Sequence, residues 1–393
     1  MSDRLAEGIR KVVADGNCSG CGACSAMFER VDMRYSQGFL RPEVLDDMQD
    51  QNMTDSLRIF KKVCPGVRVS VETATGAHFD PTFGPYLEAW RARAVDVEIR
   101  RAGSSAGVLT ALSAWAVKDR PGSTVAAASG GATAPLRTVP VAITTREEAL
   151  AAAGSRYAPV ASVTSDALTA DVFVGKPCEV SALSAIERDT GGPLTLSFFC
   201  AGVPSQQATE RLVEGLGHEL GDVHKLRYRG DGCPGDFVVT SSRGESRVSY
   251  EESWGRHLGP YLQARCKVCP DGTGWSADLA VGDVWRSDTD GYPVFEEGEA
   301  SSVVLVRSER GRRFLQRAVA EGIVEIGSIK LSEVAAVQPL QRKRRQTVLG
   351  RILGRVLAGK TVPKFVGFRL FRSATFLPSA RATAGAFVRA MKE

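Results

Sequence analysis

The sequence predicts an α/β protein with a cysteine-rich N-terminal segment and a basic helical C-terminal tail. Two short apolar runs, residues 171–175 and 194–199, are each followed by a segment with helical patterning, about 180–188 and 205–217. This order of strand, helix, strand and helix is typical of an α/β unit with a largely parallel sheet. Cysteines concentrate near the N-terminus and basic residues near the C-terminus.

Size and composition indicate a soluble globular protein. The 393 residues are enough for two or three domains with a sizeable core, and 43% of them are hydrophobic and 24% charged. Because no apolar run reaches transmembrane length and the first residues do not form a signal peptide, we expect a cytoplasmic protein. Nine cysteines in such a protein indicate metal or redox chemistry rather than disulfides.

The first cysteine motif is Cys18-x-x-Cys21-x-x-Cys24, which follows a predicted amphipathic helix over residues 3–15. Three thiols at this spacing can surround one iron–sulfur cluster, and the glycines between them permit the tight turns. Cys64, followed by proline after a predicted helix over 54–63, is the expected fourth ligand. A zinc knuckle or incidental thiols are the alternatives, although no histidine is nearby.

A second set of cysteines follows the predicted strands. Cys266 and Cys269 form a Cys-x-x-Cys pair ahead of an apolar run at 279–283 that ends in Gly-Asp, which predicts a buried strand and a turn. Cys178 and Cys200 also lie where apolar strands end. Because ligands gather at the carboxyl ends of such strands, these four thiols could meet at one cluster. Cys233 is the ninth cysteine, which we interpret as a loop thiol.

Two polar loops are candidates for phosphate binding. Ser104, Ser105 and Gly107 precede a helix predicted to run to about residue 118, and small residues at a helix start leave backbone N–H groups free for a phosphate. A plain N-cap turn is the alternative. The second loop is Gly154-Ser155-Arg156-Tyr157, which offers a cation and a ring but could equally be an exposed turn. We also predict strands over Arg91–Arg100 and within 123–143, and antiparallel strands over 222–250.

The tail carries an unusual charge. Residues 341–393 contain 13 Lys and Arg and one acid, whereas residues 1–340 contain 37 basic and 44 acidic side chains. Apolar residues recur at helical spacing between 346 and 358, and basic and aromatic residues alternate beyond them. This pattern predicts possible peripheral membrane contact through residues 341–393, at the inner face of the membrane. The alternative is a helix that packs on its own acidic body. No nucleic acid is expected, because no recognition motif accompanies the charge.

Taken in order, these motifs resemble the coenzyme F420 hydrogenase/dehydrogenase beta-subunit family. Its members include the beta subunits of F420-reducing hydrogenase and formate dehydrogenase, and 7-hydroxymethyl chlorophyll a reductase. The resemblance extends from about residue 15 to 340, and it rests on both cysteine sets, both polar loops, Gly175-Lys176-Pro177-Cys178, and the stretches from Cys200 to Ser205 and from Cys266 to Trp285.

The resemblance implies a flavin-binding α/β core with a ferredoxin-like iron–sulfur segment and two 4Fe–4S clusters. By this analogy FAD contacts the two polar loops, at the residues Ser104, Ser105, Gly107, Gly154, Ser155, Arg156 and Tyr157. One cluster would bind Cys18, Cys21, Cys24 and Cys64, and the other Cys178, Cys200, Cys266 and Cys269. Asp271, Asp278 and Asp283 are candidate catalytic carboxylates, although solvated turn carboxylates are the alternative.

Four positions depart from the family pattern. Ala106 replaces a glycine, Arg156 a lysine, Lys176 a threonine and Ala201 a histidine. Since the cysteines are all present, these departures bear on the substrate more than on the cofactors.

The implied function is that of an iron–sulfur flavoprotein oxidoreductase, which passes electrons between the clusters and FAD and a hydride to or from a small-molecule or F420-type substrate. The alternative is a non-catalytic electron-transfer or assembly subunit of a larger complex, including one in a membrane-associated glycan pathway. The redox partner would be ferredoxin, coenzyme F420 or a hydrogenase or dehydrogenase subunit. We divide the chain into a ferredoxin-like segment, two halves of the FAD-binding core and the tail, at 1–80, 81–165, 166–340 and 341–393.

Overall fold

The computed structural model describes residues 4–45, 53–186, 191–287, 293–294 and 301–391. The α-helices within these ranges are α1 Arg4–Ala14, α2 Ala23–Met27, α3 Met53–Val63, α4 Val97–Ala102, α5 Val108–Asp119, α6 Arg146–Ala151, α7 Ser165–Thr169, α8 Pro177–Ile186, α9 Gln206–Gly215, α10 Tyr250–Glu252, α11 Ala264–Lys267, α12 Glu309–Ala320, α13 Leu331–Ala336, α14 Pro339–Leu357 and α15 Phe376–Ala390.

The strands in the same ranges are β1 Val31–Ser36, β2 Phe39–Val44, β3 Arg68–Ser70, β4 His78–Asp80, β5 Gly84–Tyr86, β6 Glu88–Ala94, β7 Val125–Gly130, β8 Thr138–Ile143, β9 Val172–Gly175, β10 Leu194–Phe198, β11 Lys225–Arg227, β12 Phe237–Ser241, β13 Gly244–Val248, β14 Leu279–Asp283, β15 Arg286–Ser287, β16 Pro293–Val294, β17 Ser302–Val306, β18 Val324–Ser328 and β19 Lys364–Val366.

An eight-stranded sheet with the order β18-β6-β17-β14-β10-β9-β7-β8 forms the centre of the fold. Its four middle strands, β14, β10, β9 and β7, are parallel. The strands on both sides of this group are antiparallel. The predicted α/β fold is therefore confirmed as a mixed one, with parallel pairing only in the middle of the sheet. The β9-α8-β10-α9 succession is the strand–helix unit that the sequence predicts.

One strand prediction is wrong in its extent. The alternation of Arg91–Arg100 predicts a strand over the whole segment, but β6 ends at Ala94 and α4 follows from Val97. The physical reason is a local cap, because the side chain of Asp96 accepts hydrogen bonds from the backbone N–H groups of Glu98 and Ile99. The three antiparallel strands β11, β12 and β13 match the prediction for 222–250.

The tail forms part of the fold through α14, whose arginines bind the body. The Arg344 side chain donates to the carbonyl oxygens of Cys200 and Ala201, at 2.9 Å each. Arg345 donates to carbonyls of Pro81 and Phe368. The alternative prediction, a helix packed on its own body, therefore describes α14. The reason differs from the expected one, because these cations bind backbone carbonyls rather than the acidic side chains of the body.

The predicted apolar face of α14 is not its packed face. Among the six apolar residues at helical spacing, only Val348 is buried, and Leu349 and Ile352 are half-buried. The side chains of Leu353, Val356 and Leu357 are exposed. Two glycines of α14 instead allow α15 to approach closely. A Cβ atom at Gly350 would collide with the Ser379 carbonyl, and one at Gly354 with the Thr383 carbonyl.

We predict that Gly350→Ala destabilises the protein, because the added methyl group would push α15 away from α14. Overpacking of this kind costs about 1–3 kcal/mol, which urea unfolding measures. Gly215→Ala is the matched control, since Gly215 is also helical and has open space around its Cα atom. The control should be neutral or stabilising by up to about 1 kcal/mol. Equal effects of the two substitutions would contradict the close packing.

Candidate functional site

The four N-terminal cysteines lie together around a small cavity. Cys18 and Cys21 lie in the loop after α1, Cys24 lies in α2 and Cys64 directly follows α3, and all four line the same cavity. Burial raises the pKa of the Cys21 thiol to about 11. The pKa of Cys64 is raised by burial and by the neighbouring Cys21 and Cys18. Four thiols around one cavity are a donor set that fits a metal centre, and bound iron would stabilise their thiolate forms.

The glycines of the N-terminal motif leave no room for side chains. Gly22 has a φ of 94°, in the left-handed region, and its Cβ would lie 2.6 Å from the Val163 carbonyl. Gly20 has a φ of 69°, and its Cβ would lie 2.9 Å from the Leu40 carbonyl. These two turns are what bring Cys18, Cys21 and Cys24 to one place.

The second set of cysteines is built from the ends of strands. Cys178 lies in the first turn of α8 after β9, and Cys200 lies two residues beyond the end of β10. Cys266 lies in α11 and accepts a hydrogen bond from the backbone N–H of Val203 at 3.4 Å. Burial and the proximity of Cys266 raise the pKa of Cys200 to about 12, with a further contribution from Cys269. The four predicted cysteines of this set thus lie close enough to influence one another's pKa: in addition to burial, Cys266 and Cys269 act on Cys200, and Cys200 acts on Cys178.

The two sets are neighbours. Cys21 is among the groups that raise the pKa of Cys178, after burial and Glu179. Arg265 lies between the sets. On one side burial raises the pKa of Cys18, and the charge of Arg265 acts against that rise. On the other side burial acts to lower the pKa of Arg265 itself, but the thiols of the second set outweigh burial and raise that pKa.

Arg265 is a buried cation with free donors. Its side chain is only 2% exposed, and its Nη2 donates to the Pro65 carbonyl at 3.1 Å. Its Nε and Nη1 have no hydrogen-bond partner among the described residues. A buried guanidinium with unpartnered donors beside thiols fits the net negative charge of a cluster held by four thiolates. The sequence offered no signal for Arg265 beyond its place next to Cys266.

Within the described ranges, no group of three or more His, Cys, Asp or Glu side chains converges on a single metal ion. A 4Fe–4S cluster does not need such convergence, because each thiolate binds a different iron atom. With four thiol donors each, both cysteine sets therefore fit a 4Fe–4S cluster, the group that the sequence predicts.

Beside the second set lies a cavity with a volume of about 290 Å³. It opens at the carboxyl ends of the parallel strands, where α/β folds place their ligands. Both predicted polar loops line it, together with Cys200. Its volume is near the lower end of the range of roughly 300–1,000 Å³ that ligand sites occupy.

The loop at residues 103–107 leads into α5, whose N-terminus has no side-chain cap. Gly107 has a φ of 69°, and a Cβ there would collide with the Ile99 carbonyl, so this turn requires glycine. The Ser104 and Ser155 hydroxyls share a hydrogen bond of 2.7 Å, which joins the two polar loops. The Ser105 hydroxyl is 3.0 Å from that of Ser302. An uncapped helix start at a cavity fits a phosphate group.

Arg156 lines the cavity but also organises the loops around it. Its Nε donates to the Thr138 hydroxyl at 2.8 Å, and its two terminal nitrogens donate to carbonyls of Leu226, Pro135 and Arg137. Burial lowers the pKa of Arg156. Four of the five N–H groups of this guanidinium are thus directed at protein atoms.

Arg229 connects the walls of the cavity and was not predicted from the sequence. Its Nη1 donates to the Tyr157 hydroxyl at 3.1 Å and to Asp283 at 2.9 Å, and its Nη2 donates to the Ser104 carbonyl. Its guanidinium lies 4.6 Å from the centre of the Tyr250 ring, which stacks on Trp285. Burial opposes its charge, but Tyr157 and Asp283 raise its pKa.

The three candidate carboxylates have different surroundings. Asp271 is buried and accepts hydrogen bonds from the backbone N–H groups of residues 273–275, and burial raises its pKa. Asp278 is buried between Thr195, Ser308 and Arg310. Asp283, at the end of β14, is the one of the three that lines the cavity.

A buried ion pair forms another part of the wall. Nζ of Lys176 lies 2.5 Å from Glu179 Oε1, and both side chains line the cavity. Burial acts to lower the pKa of Lys176, but the charges of Glu179 and Cys178 outweigh it and raise that pKa. Lys176 therefore presents a positive charge beside Cys178. The sequence identifies Lys176 only as a departure from the family pattern, and it does not identify Glu179.

Fold and site together define a mixed α/β protein in which two sets of four cysteines lead to one cavity. The chain belongs to the coenzyme F420 hydrogenase/dehydrogenase beta-subunit family, as its sequence motifs predict. The family models for the N-terminal and C-terminal parts of this beta subunit match residues 89–165 and 170–331, respectively. The second cysteine set lies within these ranges, and the N-terminal set lies outside them.

Individual relatives agree with this assignment. The chain is 28% identical over 297 residues to the coenzyme F420 hydrogenase subunit beta of Methanococcus voltae, covering 69% of this chain and 98% of the relative. It is 29% identical over 269 residues to the same subunit of Methanosarcina barkeri, covering 64% and 85%. A chain of the F420-reducing [NiFe] hydrogenase complex from Methanosarcina barkeri matches with a TM-score of 0.52 and 26% identity, covering 70% of this chain and 95% of that one. These relatives are subunits of an oxidoreductase complex.

Proposed function

We propose that this protein is an iron–sulfur flavoprotein oxidoreductase with two 4Fe–4S clusters and one FAD. The observation that carries the proposal is the row formed by the N-terminal cysteines, the second cysteine set and the cavity, since Cys21 neighbours Cys178 and Cys200 lines the cavity. When bound, these groups would exchange single electrons along the row and a hydride with a substrate in the cavity, such as an F420-type molecule.

The residues of the chain have separate tasks in this function. The cysteines hold the clusters, and the N-terminus of α5 with Ser104, Ser105 and Gly107 holds the FAD phosphates. The second loop provides further contacts with the FAD, from Gly154, Ser155 and Tyr157. Arg156 of the same loop orders the wall of the cavity. Arg229 pairs with Asp283 and fixes its position at the cavity wall, so this carboxylate is our candidate for a contact with the flavin or the substrate. Asp271 and Asp278 would then serve the structure of their loops.

A second candidate function is that of an electron-transfer subunit that turns over only within a complex. It is favoured by the names of the relatives, which are beta subunits of hydrogenases, and by the hydrogenase complex that contains the structural match. Anaerobic turnover of the isolated chain, with reduced F420 or reduced ferredoxin as the electron donor, distinguishes the two. Multiple turnovers support an enzyme, whereas reduction of the bound groups without turnover supports a subunit.

We predict about eight irons per chain after anaerobic reconstitution, because each set of four cysteines holds one cluster. Cys21→Ser should reduce the iron content by about half, because it removes one ligand of the N-terminal cluster only. Iron analysis and the absorbance spectrum measure this effect. Cys233→Ser is the control, because we place Cys233 in neither set, and it should retain all the iron. A wild-type value near four irons that Cys21→Ser does not change would exclude the N-terminal site.

We predict that Ser105→Glu reduces FAD occupancy by at least tenfold, because it places a negative charge against the phosphates at the start of α5. The flavin-to-protein ratio after purification measures the loss. Ser105→Gln is the matched control, since it has the same size without the charge, and it should retain considerably more flavin. Full occupancy in Ser105→Glu would show that the phosphates bind elsewhere.

We predict that Arg265→Met lowers the reduction potential of both clusters. Reduction adds negative charge, and this buried cation lies close to both cysteine sets. Titration monitored by electron paramagnetic resonance measures the potentials, and Arg265→Lys should restore them in part. Arg256→Met is the control, because Arg256 lies on the surface. Full iron content with unchanged potentials would contradict the role of Arg265, whereas absence of iron from the wild type would contradict the proposed function itself.

A further inference from the structure

The C-terminal helix α15 directs its apolar side away from the protein. Phe376 is 87% exposed, Leu377 69% and Met391 65%. At the helical period of 3.6 residues these side chains share one side of α15 with four others. The seven residues, called the outer face below, are Phe376, Leu377, Ala380, Ala384, Phe387 and Val388 of α15 and its C-cap residue Met391. Ala386 and Ala390, on the other side, are buried.

The packing of α14 and α15 extends this surface. The helices run in the same direction, because Gly350 faces Ser379 and Gly354 faces Thr383 and Ala386. The C-terminal ends of both helices therefore lie together. Three exposed side chains at the end of α14 belong to the same end of the pair, and these are Leu353, Val356 and Leu357. A contiguous apolar surface of this kind marks a site of interaction.

The charged side chains of the tail within the described residues have one sign. Residues 341–391 contain twelve basic residues and no acid. Arg344, Arg345 and Arg355 are bonded to backbone carbonyls of the body, at Cys200, Pro81 and Asp15. Other cations remain exposed, among them Arg381, which borders the outer face next to Val388, and Arg389, which lies on another side of α15, near Arg351. A helix with an apolar side of Phe, Leu and Met and a border of arginine matches the surface of an anionic bilayer.

The extent of the family match argues against a hydrogenase subunit as the partner that binds this surface. The family models end at residue 331, so α14 and α15 lie outside the part that is matched. None of the helices in the described ranges is long and apolar enough to span a membrane. We propose that the outer face of α15, with the exposed end of α14, binds the surface of an anionic phospholipid membrane.

This surface is part of the one that the sequence predicts, which covers residues 341–393. Of the apolar pattern at 346–358 it keeps only the exposed side chains of Leu353, Val356 and Leu357. Deletion of the tail after Leu340 is therefore not a suitable test, because it would also remove the contacts of Gln341 and Arg344 with the Cys200 carbonyl. Point substitutions on the outer face leave those contacts in place.

The test is flotation of the full-length protein with vesicles of phosphatidylcholine alone and of phosphatidylcholine with phosphatidylglycerol. We expect binding to the anionic vesicles and a strong decrease in binding at high salt. Leu377→Ser should weaken binding by roughly tenfold, as expected for loss of one large apolar contact with the bilayer. Val97→Ser is the matched control, because Val97 is 67% exposed on α4, and it should bind as the wild type does.

A second pair of variants tests the charge. Arg381→Gln should weaken binding to anionic vesicles and leave binding to neutral vesicles unchanged, whereas Arg313→Gln, on the exposed side of α12, should have no effect. The proposal is overturned if Leu377→Ser and Val97→Ser bind equally. It is also overturned if the wild type does not float but forms a dimer that Leu377→Ser dissociates, since a second copy then covers the outer face.

Discussion

The cavity depends on one buried cation, Arg229. Its guanidinium donates to the first polar loop at Ser104, to the second at Tyr157 and to the end of β14 at Asp283. These three segments are far apart in the sequence. The Ser104–Ser155 hydrogen bond joins the two polar loops to each other, and Arg229 joins both loops to the end of β14. Because a buried cation without partners is strongly unfavourable, the arrangement of the walls and the charge of Arg229 require each other. The rings of Tyr250 and Trp285 complete its surroundings.

Arg265 has the corresponding position between the two cysteine sets, but its environment is incomplete. Arg229 forms four hydrogen bonds with the protein, whereas Nε and Nη1 of Arg265 have no partner among the described residues. The guanidinium of Arg265 instead lies 5.2 Å from the centre of the Phe365 ring and beside the Cys269 thiol. The difference is physically reasonable if Arg229 organises protein segments and Arg265 faces anionic groups that the thiols hold. This contrast connects the cysteine chemistry to the proposed function without any appeal to the relatives.

Local patterns predict much of this protein, and contacts between distant segments account for what they miss. The strands before Cys178 and Cys200 and the start of α5 follow from apolar runs and small residues, which act within a few positions. The proximity of the four thiols in each set follows from cysteine spacing and strand ends. Arg229 and Glu179 could not be recognised, because an arginine before a glycine, or a glutamate in a helix, has no distinctive pattern. Their roles depend on contacts with residues that are distant in the sequence and become neighbours only in the folded protein.

The tail shows the same limit in a different form. Helical spacing correctly identifies α14, yet it does not show which side of the helix packs on the body, and half of the apolar residues that it groups together are exposed. Periodicity measures which residues share a side, but it does not show whether apolar carbon or backbone carbonyls lie opposite. The body presents the carbonyl oxygens of Cys200 and Ala201 to α14. These oxygens need hydrogen-bond donors, which an arginine side chain provides and a leucine side chain does not.

The consequence of this arrangement is that α14 belongs to two parts of the protein at once. At its beginning Gln341 contacts the Cys200 carbonyl, while the preceding Gln338 donates to the Asp283 carbonyl, so this end closes the cavity. At its other end the glycines Gly350 and Gly354 hold α15 and its outer face. A single continuous helix therefore joins the wall of the cavity to the surface that we assign to the membrane. Because a helix of this length is rigid, whatever binds the outer face also fixes the orientation of the cavity relative to it.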